Sequence, residues 1–242
     1  MVNTDTLRSL FLAALRVLTV AAFFLLSPDF SSDADASASG PERSQRFQEV
    51  ENVLSTIPTG RAALEVLYRY DVEMRFESGP TFYDRNENYI VINSNTDIVA
   101  AALLLVHESV HASSTKEGRV ANVKKLSREM YIDGIMREEA EAEATVIEAA
   151  NELRITGVAV PQASLLEDHY VEAYEKAVEL ARDDNESASD DVLHEVGRAA
   201  GIAAMVDDFH NGVVVSGTTG TPYPVVNGDI WDKVNPVVVV KN

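Results

Sequence analysis

The sequence of 242 residues contains no cysteine. This absence excludes disulfides, thiolate metal sites and a cysteine nucleophile. A metal site in this chain would have to be built from the side chains of His, Asp and Glu. Lysine is also scarce, because 14 of the 20 basic residues are Arg and 6 are Lys.

Positive charge is in deficit overall, with 39 acidic against 20 basic residues and a formal net charge of -19. No nucleic acid is expected as a partner, because binding a phosphate backbone requires a basic face. An acidic, lysine-poor surface suits high salt, where self-repulsion is screened, so composition suggests a salt-adapted source. Hydrophobic residues still make up 46% of the chain, which is enough for the core of one domain.

Residues 1–36 have the pattern of a targeting segment. Arg8 and Arg16 precede an apolar run from Val17 to Leu26, in which Thr19 is the one polar residue. Ala34-Asp35-Ala36 and Ala36-Ser37-Ala38 both fit the A-x-A pattern of a signal-peptidase site, so we expect a cleaved signal peptide and a secreted protein.

A membrane anchor over residues 10–26 and a buried core helix remain alternatives for this segment. As a helix, the 10–26 run would measure about 25 Å, which is short for a hydrocarbon core of ~30 Å. We expect residues 37–45 to form a linker and residues 46–242 to form the folded domain.

The remaining pattern predicts many helices and a small sheet, which is an α+β class. Helical periodicity covers 42–70, and Pro58-Thr59-Gly60 divides it into two helices. Ser94 and Asp97 have capping-box spacing before an apolar helix from Ile98 to about Ser113. The other predicted helices are 120–132, 134–154, 164–182 and 191–209.

The predicted strands are short. Strands near 72–76, 81–83 and 89–92 should form a small antiparallel sheet that leads into the helix from Ile98. In the tail, Val213–Val215 and Val237–Val240 are predicted as short strands, and Asn227-Gly228 as a turn.

The chemistry is concentrated in His107-Glu108-Ser109-Val110-His111. Two His residues four apart lie one turn apart on the same helix face, so both imidazoles can reach one zinc ion. Glu108 would then lie beside the metal, where a carboxylate can take a proton from water and later pass it to a leaving amine.

A catalytic zinc also needs a third protein ligand and one open position. Glu139 falls within an apolar stripe of its helix, where a buried carboxylate needs a partner such as a divalent cation. Glu143 lies one turn further on and could hydrogen-bond a ligating His, or replace Glu139 as the ligand. Glu138 and Glu141 are predicted to point towards solvent, although Glu141 also stays open as a ligand.

The other candidate groups are not selected by the pattern. None of His169, His194 and His210 follows the motif at the spacing of a third His ligand, so structural or exposed roles are expected for them. Four tyrosines could supply a hydrogen bond to an oxyanion, with core packing as the default for each: Tyr131, Tyr170, Tyr174 and Tyr223.

The motif followed by Glu139-Ala140-Glu141-Ala142-Glu143 resembles the gluzincin pattern, in which HExxH precedes a glutamate ligand in an E-x-x-A-D setting. Glu139 matches the ligand glutamate of that pattern, and Glu143 stands where the Asp is usual. The span from about Tyr83 to Trp231 also resembles a putative-metallopeptidase family of unknown substrate, including a Tyr-Pro…Trp tail. The resemblance implies a mainly helical minimal zincin-like domain that binds Zn²⁺ and hydrolyses peptide bonds.

Three hypotheses therefore remain open from the sequence. The first is a zinc metallopeptidase with Glu108 as general base, acting on a peptide or protein substrate. The second is an exported or anchored module that does not catalyse, with a structural or zinc-binding helix pair. The third is a regulatory protease with one protein target. The sequence does not specify the substrate or the oligomeric state.

Overall fold

The computed structural model describes residues 41–217 and 219–236. Seven helices and three strands form over these residues, and they confirm the mainly helical α+β class. The elements are α1 (Pro41–Ser55), α2 (Pro58–Arg69), β1 (Glu73–Glu77), β2 (Phe82–Asp84), β3 (Tyr89–Asn93), α3 (Ile98–Lys116), α4 (Arg128–Ile155), α5 (Glu167–Asp184), α6 (Asp190–His210) and α7 (Tyr223–Val234).

The structure describes only a small part of the N-terminal region for which predictions were made. The expected signal peptide or anchor at 1–36 lies outside the described residues, and so does the predicted strand Val237–Val240. The part of the predicted linker 37–45 that begins at Pro41 is helical, since α1 starts there. The division of the 42–70 pattern into two helices at Pro58 is confirmed.

The three strands form a mixed sheet in the order β1-β3-β2. β2 pairs antiparallel with β3 as expected, whereas β1 pairs parallel with β3, with Phe76 opposite Ile92. The expectation of a wholly antiparallel sheet is therefore wrong for β1. The chain reverses between β1 and β2 and again between β2 and β3, so β1 and β3 run in the same direction. Because β1 lies next to β3 and not next to β2, its pairing is parallel.

The helix that carries the motif, α3, lies in the middle of the protein. Its N-cap is Asp97, whose side chain accepts from the N–H of Ala100, so Ser94 is not the cap. Every residue from Ala101 to Val106 is buried. By length and composition α3 could also cross a membrane. However, 67% of the residues in its most apolar stretch are buried within the protein, as expected for a helix in a hydrophobic core.

One continuous helix, α4, replaces the two helices predicted at 120–132 and 134–154. It begins at Arg128 with Ser127 as its N-cap and passes through Gly134 without a break. A Cβ atom at position 134 would lie 2.8 Å from Cβ of Ala121. Gly134 therefore lets the non-helical segment before α4 pack closely against the helix.

The tail forms a helix where a turn was predicted. Asn227 and Gly228 lie inside α7, and the predicted strand at Val213–Val215 is reduced to a single bridge between Val215 and Pro222. Tertiary contacts stabilise α7, since Nε1 of Trp231 donates to the carbonyl of Leu126. α7 packs on α4, the helix that also packs against the motif helix α3.

Candidate metal centre

The two histidines of the motif point into the interface between α3 and α4. His107 is 1% exposed and His111 is 3% exposed. Their Nε2 atoms lie 3.1 Å apart. Two nitrogens bound at about 2.0–2.1 Å to one tetrahedral zinc would be ~3.3 Å apart, so this spacing fits a shared ion.

Glu139 of α4 completes the set. Its Oε2 lies 3.7 Å from Nε2 of His107, and its Oε1 lies 3.7 Å from Nε2 of His111. The ligand atoms of the three residues lie within 4.8 Å of one another, and all three residues are buried. Three ligands with this spacing leave a fourth position for water or substrate, as a catalytic zinc site requires.

The charges around His107 also favour a cation. Burial lowers the pKa of His107, but Glu139 and Glu143 outweigh burial and raise the pKa well above that of an ordinary histidine. The carboxylates thus attract a positive charge to this position, either a proton or a metal ion. A bound metal would displace the proton, because a ligating imidazole must be neutral at the coordinating nitrogen.

Glu108 is buried next to the ligand set, with an exposed fraction of 1%. The backbone N–H of Tyr83 in β2 donates a hydrogen bond to its carboxylate. Oε1 of Glu108 has no hydrogen-bond partner among the described residues. Burial raises the pKa of Glu108, while His107 and His111 oppose that increase. A carboxyl group with a raised pKa is suited to accept and then return a proton near neutral pH.

Glu143 contacts the other side of the first imidazole. Its Oε1 lies 3.4 Å from Nδ1 of His107, a long contact with imperfect hydrogen-bond alignment. Burial raises the pKa of Glu143, but His107 and a hydrogen bond from Ser164 outweigh it and lower the pKa overall. The structure therefore places Glu143 beside Nδ1 of His107, the proposed ligand.

Glu138 corrects the sequence reasoning, which placed it in solvent. It is 7% exposed, and its Oε1 lies 2.8 Å from Nδ1 of His111 and 2.7 Å from a terminal nitrogen of Arg85. Burial raises the pKa of Glu138, but His111 and Arg85 hold it below its ordinary value. The sequence did contain a clue to this role. A histidine that binds a metal usually donates from its second nitrogen to an acceptor, and the sequence analysis had assigned such an acceptor to only one of the two histidines.

Glu141 and the remaining histidines lie away from this cluster. The Glu141 side chain is 40% exposed and lies 3.6 Å from Arg119, so it faces solvent as expected. His169 pairs with Asp208, His194 with Tyr174 and His210 with Asp133. Within the described residues, the group suited to a metal ion is His107, His111 and Glu139.

One of the four tyrosines lies beside the carboxylates of the site. Burial raises the pKa of Tyr223, and the charges of Glu139, Glu143 and Glu108 raise it further. Tyr131 instead interacts with Arg85 and Glu138, and the other two lie against α4 and α6. Tyr223 therefore stays protonated at neutral pH, and its hydroxyl group lies within electrostatic reach of the proposed site.

Comparison with known proteins adds one result to this geometry. The model of a family described as "Putative metallopeptidase family (DUF6782)" matches residues 29–195. The match covers more than half of the chain and includes the motif and Glu139. No curated protein and no solved structure matches the chain.

Proposed function

Because this chain belongs to the Putative metallopeptidase family (DUF6782), we propose that it is a zinc-dependent peptidase that hydrolyses peptide bonds at the site on α3 and α4. The observation that carries the proposal is the convergence of the three ligand atoms next to the unpartnered Oε1 of Glu108. A buried carboxylate oxygen without a partner costs stability, and a role in catalysis accounts for its presence here.

Each residue has a distinct task in the proposed reaction. His107, His111 and Glu139 would hold the ion. Zinc at this position would supply Lewis-acid polarisation of a water and of the scissile carbonyl. Glu108 accepts a proton from the attacking water and returns it to the leaving amine.

Tyr223 is suited to stabilise the charge that develops on the carbonyl oxygen. Its hydroxyl is protonated, and it lies close to the carboxylates that surround the ligand set. A hydrogen bond that forms fully only when the oxygen becomes negative lowers the barrier of the chemical step.

A zinc-binding module without catalysis explains less of the site. Such a module needs His107, His111 and Glu139, but it gives no reason to bury Glu108 with one oxygen unpaired. A regulatory protease with a single protein target would use the same residues and would differ in what it cleaves.

The test begins with metal content and cleavage of a library of unstructured peptides, read by mass spectrometry. We expect about one zinc per chain in wild type and in Glu108→Gln, with turnover lowered by about 10²–10⁴-fold in the variant, because the proton acceptor is lost. Cleavage by Glu108→Gln at the wild-type rate would refute the mechanism. Zinc binding without any cleavage would favour the non-catalytic module or a single-target protease.

The third ligand is tested by paired substitutions on α4. Glu139→Ala should release zinc, while Glu141→Ala should retain it, because Glu141 lies outside the ligand group. Zinc retained in Glu139→Ala and lost in Glu143→Ala would instead assign Glu143 as the ligand.

A further inference from the structure

Arg85 reaches the metal centre from the sheet. It is the first residue after β2, and its guanidinium donates to the Oε1 atom of Glu138 that also contacts Nδ1 of His111. One carboxylate oxygen thus joins an arginine of the β2–β3 turn to a proposed metal ligand. The Arg85 side chain is 24% exposed and the Glu138 side chain 7%, so little water competes for the contact.

The turn that carries Arg85 is held by its own side chains. Oδ1 of Asp84 accepts from the backbone N–H groups of Asn86 and Glu87. The side chain of Asn88 donates to the carbonyls of Tyr70 and Asp71, at the end of α2. These bonds fix the backbone at Arg85 relative to the core, and this restricts the positions that its guanidinium can take.

The same short segment contacts the general base. The backbone N–H of Tyr83 donates to Glu108, two residues before Arg85. β2 and its turn therefore act on α3 through Glu108 and on α4 through Glu138. Among the ion pairs of residues 41–217 and 219–236, Arg85 is the arginine that contacts the carboxylates around the ligand set.

Charge explains why this contact matters. Glu108, Glu138, Glu139 and Glu143 are packed together, and like charges in a poorly solvated region repel one another. A cation beside Glu138 offsets part of this repulsion and keeps the carboxylate next to His111. Without it, Glu138 would gain by rotating towards water, and the ring of His111 would lose its orienting acceptor.

We propose that Arg85 is a positioning residue of the metal centre, which holds Glu138 so that His111 presents Nε2 to the ion. The inference rests on the proposed metal site but not on any particular substrate. It assigns to the β2–β3 turn a role in metal affinity that the gluzincin-like motif does not contain.

Zinc affinity of the full chain tests the proposal, measured by competition with a fluorescent chelator. Arg85→Met should weaken zinc binding by about 10–100-fold, the range for loss of a partner that orients a ligand. Arg85→Lys should recover most of the loss, because only one nitrogen of Arg85 contacts Glu138. The matched control is Arg119→Met, which removes a pair to Glu141 on the same helix outside the site and should leave affinity unchanged.

A double-mutant cycle separates positioning from a general loss of structure. Arg85→Met in a Glu138→Gln background should cost much less affinity than in wild type, because its partner has already lost its charge. Additive losses, unchanged affinity in Arg85→Met, or an equal loss in Arg119→Met would each overturn the proposal. If Arg85→Met does not fold when metal-free, Arg85→Lys and the nearly isosteric Glu138→Gln carry the test, and wild-type affinity in Glu138→Gln overturns it.

A failure of the proposed function gives a different result. In that case wild type itself binds no zinc in the competition assay, and no variant needs comparison. Zinc binding by wild type that is insensitive to Arg85 would refute the positioning role alone.

Discussion

At the scale of single residues, both nitrogens of each motif imidazole face another side chain of the site. The Nε2 atoms of His107 and His111 face each other and Glu139, while their Nδ1 atoms face Glu143 and Glu138. An acceptor at Nδ1 fixes the tautomer and the ring orientation of a ligating histidine. The ring of His111 is therefore oriented by its contact with Glu138, whereas Glu143 faces the ring of His107 at a longer distance.

Tyr223 gives the first prediction at this scale. Tyr223→Phe should lower kcat by about 10²–10³-fold, because removing one oxyanion donor has that cost, while zinc content stays at about one per chain. KM should change much less, since the bond strengthens only in the transition state. Steady-state kinetics on a cleaved library peptide measures both constants.

The control for this prediction is Tyr174→Phe. Its hydroxyl contacts His194 on the surface, so kcat should stay at the wild-type value. An unchanged kcat in Tyr223→Phe, or zinc loss in that variant, would show that Tyr223 packs in the core without acting on the substrate.

The residues of the site differ in how far the sequence reveals them. His107, Glu108 and His111 follow from spacing alone, and Glu139 follows from the apolar stripe on which it lies. Glu138 does not follow from spacing or from the stripe, because its partner Arg85 is 53 residues away in the chain; the need of the second imidazole for an acceptor was the available signal. Tyr223 could not be selected because proximity across the fold is a tertiary property.

At the scale of elements, α4 combines two structural roles. Its first half presents Glu138, Glu139 and Glu143 to α3, and the residues Val146 to Leu153 continue into the main core. A single helix fixes the spacing of all three carboxylates, since positions 139 and 143 are one turn apart.

The helical hairpin of α5 and α6 packs against α4. The close packing of its two helices requires a glycine. A Cβ atom at Gly201 would lie 2.5 Å from the ring of Tyr170, whose hydroxyl donates to Glu148 on α4. Gly201→Ala should therefore destabilise the protein by about 1–3 kcal/mol, the cost of overpacking. An unobstructed helical Gly→Ala change would instead stabilise by about 0.5–1 kcal/mol. Urea unfolding of the zinc-loaded protein measures the sign.

A second substitution checks the cause of that loss. In a Tyr170→Ala background the ring is gone, so Gly201→Ala should no longer be destabilising. A penalty of equal size in both backgrounds would mean that the close approach to Tyr170 is not what requires glycine.

Element predictions from the sequence fail where long-range contacts decide. A boundary was predicted between helices 120–132 and 134–154, yet α4 continues through Gly134, where the close approach of Ala121 leaves no room for a side chain. Asn227-Gly228 suggested a turn, yet α7 forms there because Trp231 is anchored to Leu126. The parallel pairing of β1 depends on which side of β3 it occupies, which short-range periodicity does not determine.

At the scale of the whole molecule, the carboxylates of the site are part of a large excess of negative charge. The formal net charge is -19, and Asp183 and Asp184 end α5, where negative charge also opposes the helix dipole. Self-repulsion of this kind destabilises a compact state and is screened by salt. We therefore expect the folded state to be more stable at high salt concentration.

Thermal unfolding of the zinc-loaded protein tests this expectation. The unfolding temperature should rise between about 0.1 and 1 M NaCl, because the screening length falls from about 10 Å to about 3 Å over that range. The double variant Asp183→Asn/Asp184→Asn should unfold at a higher temperature than wild type in dilute buffer and should gain less from added salt. A flat or falling unfolding temperature with salt would show that the surface charges are too far apart to repel one another appreciably, and that the acidic composition does not reflect adaptation to salt.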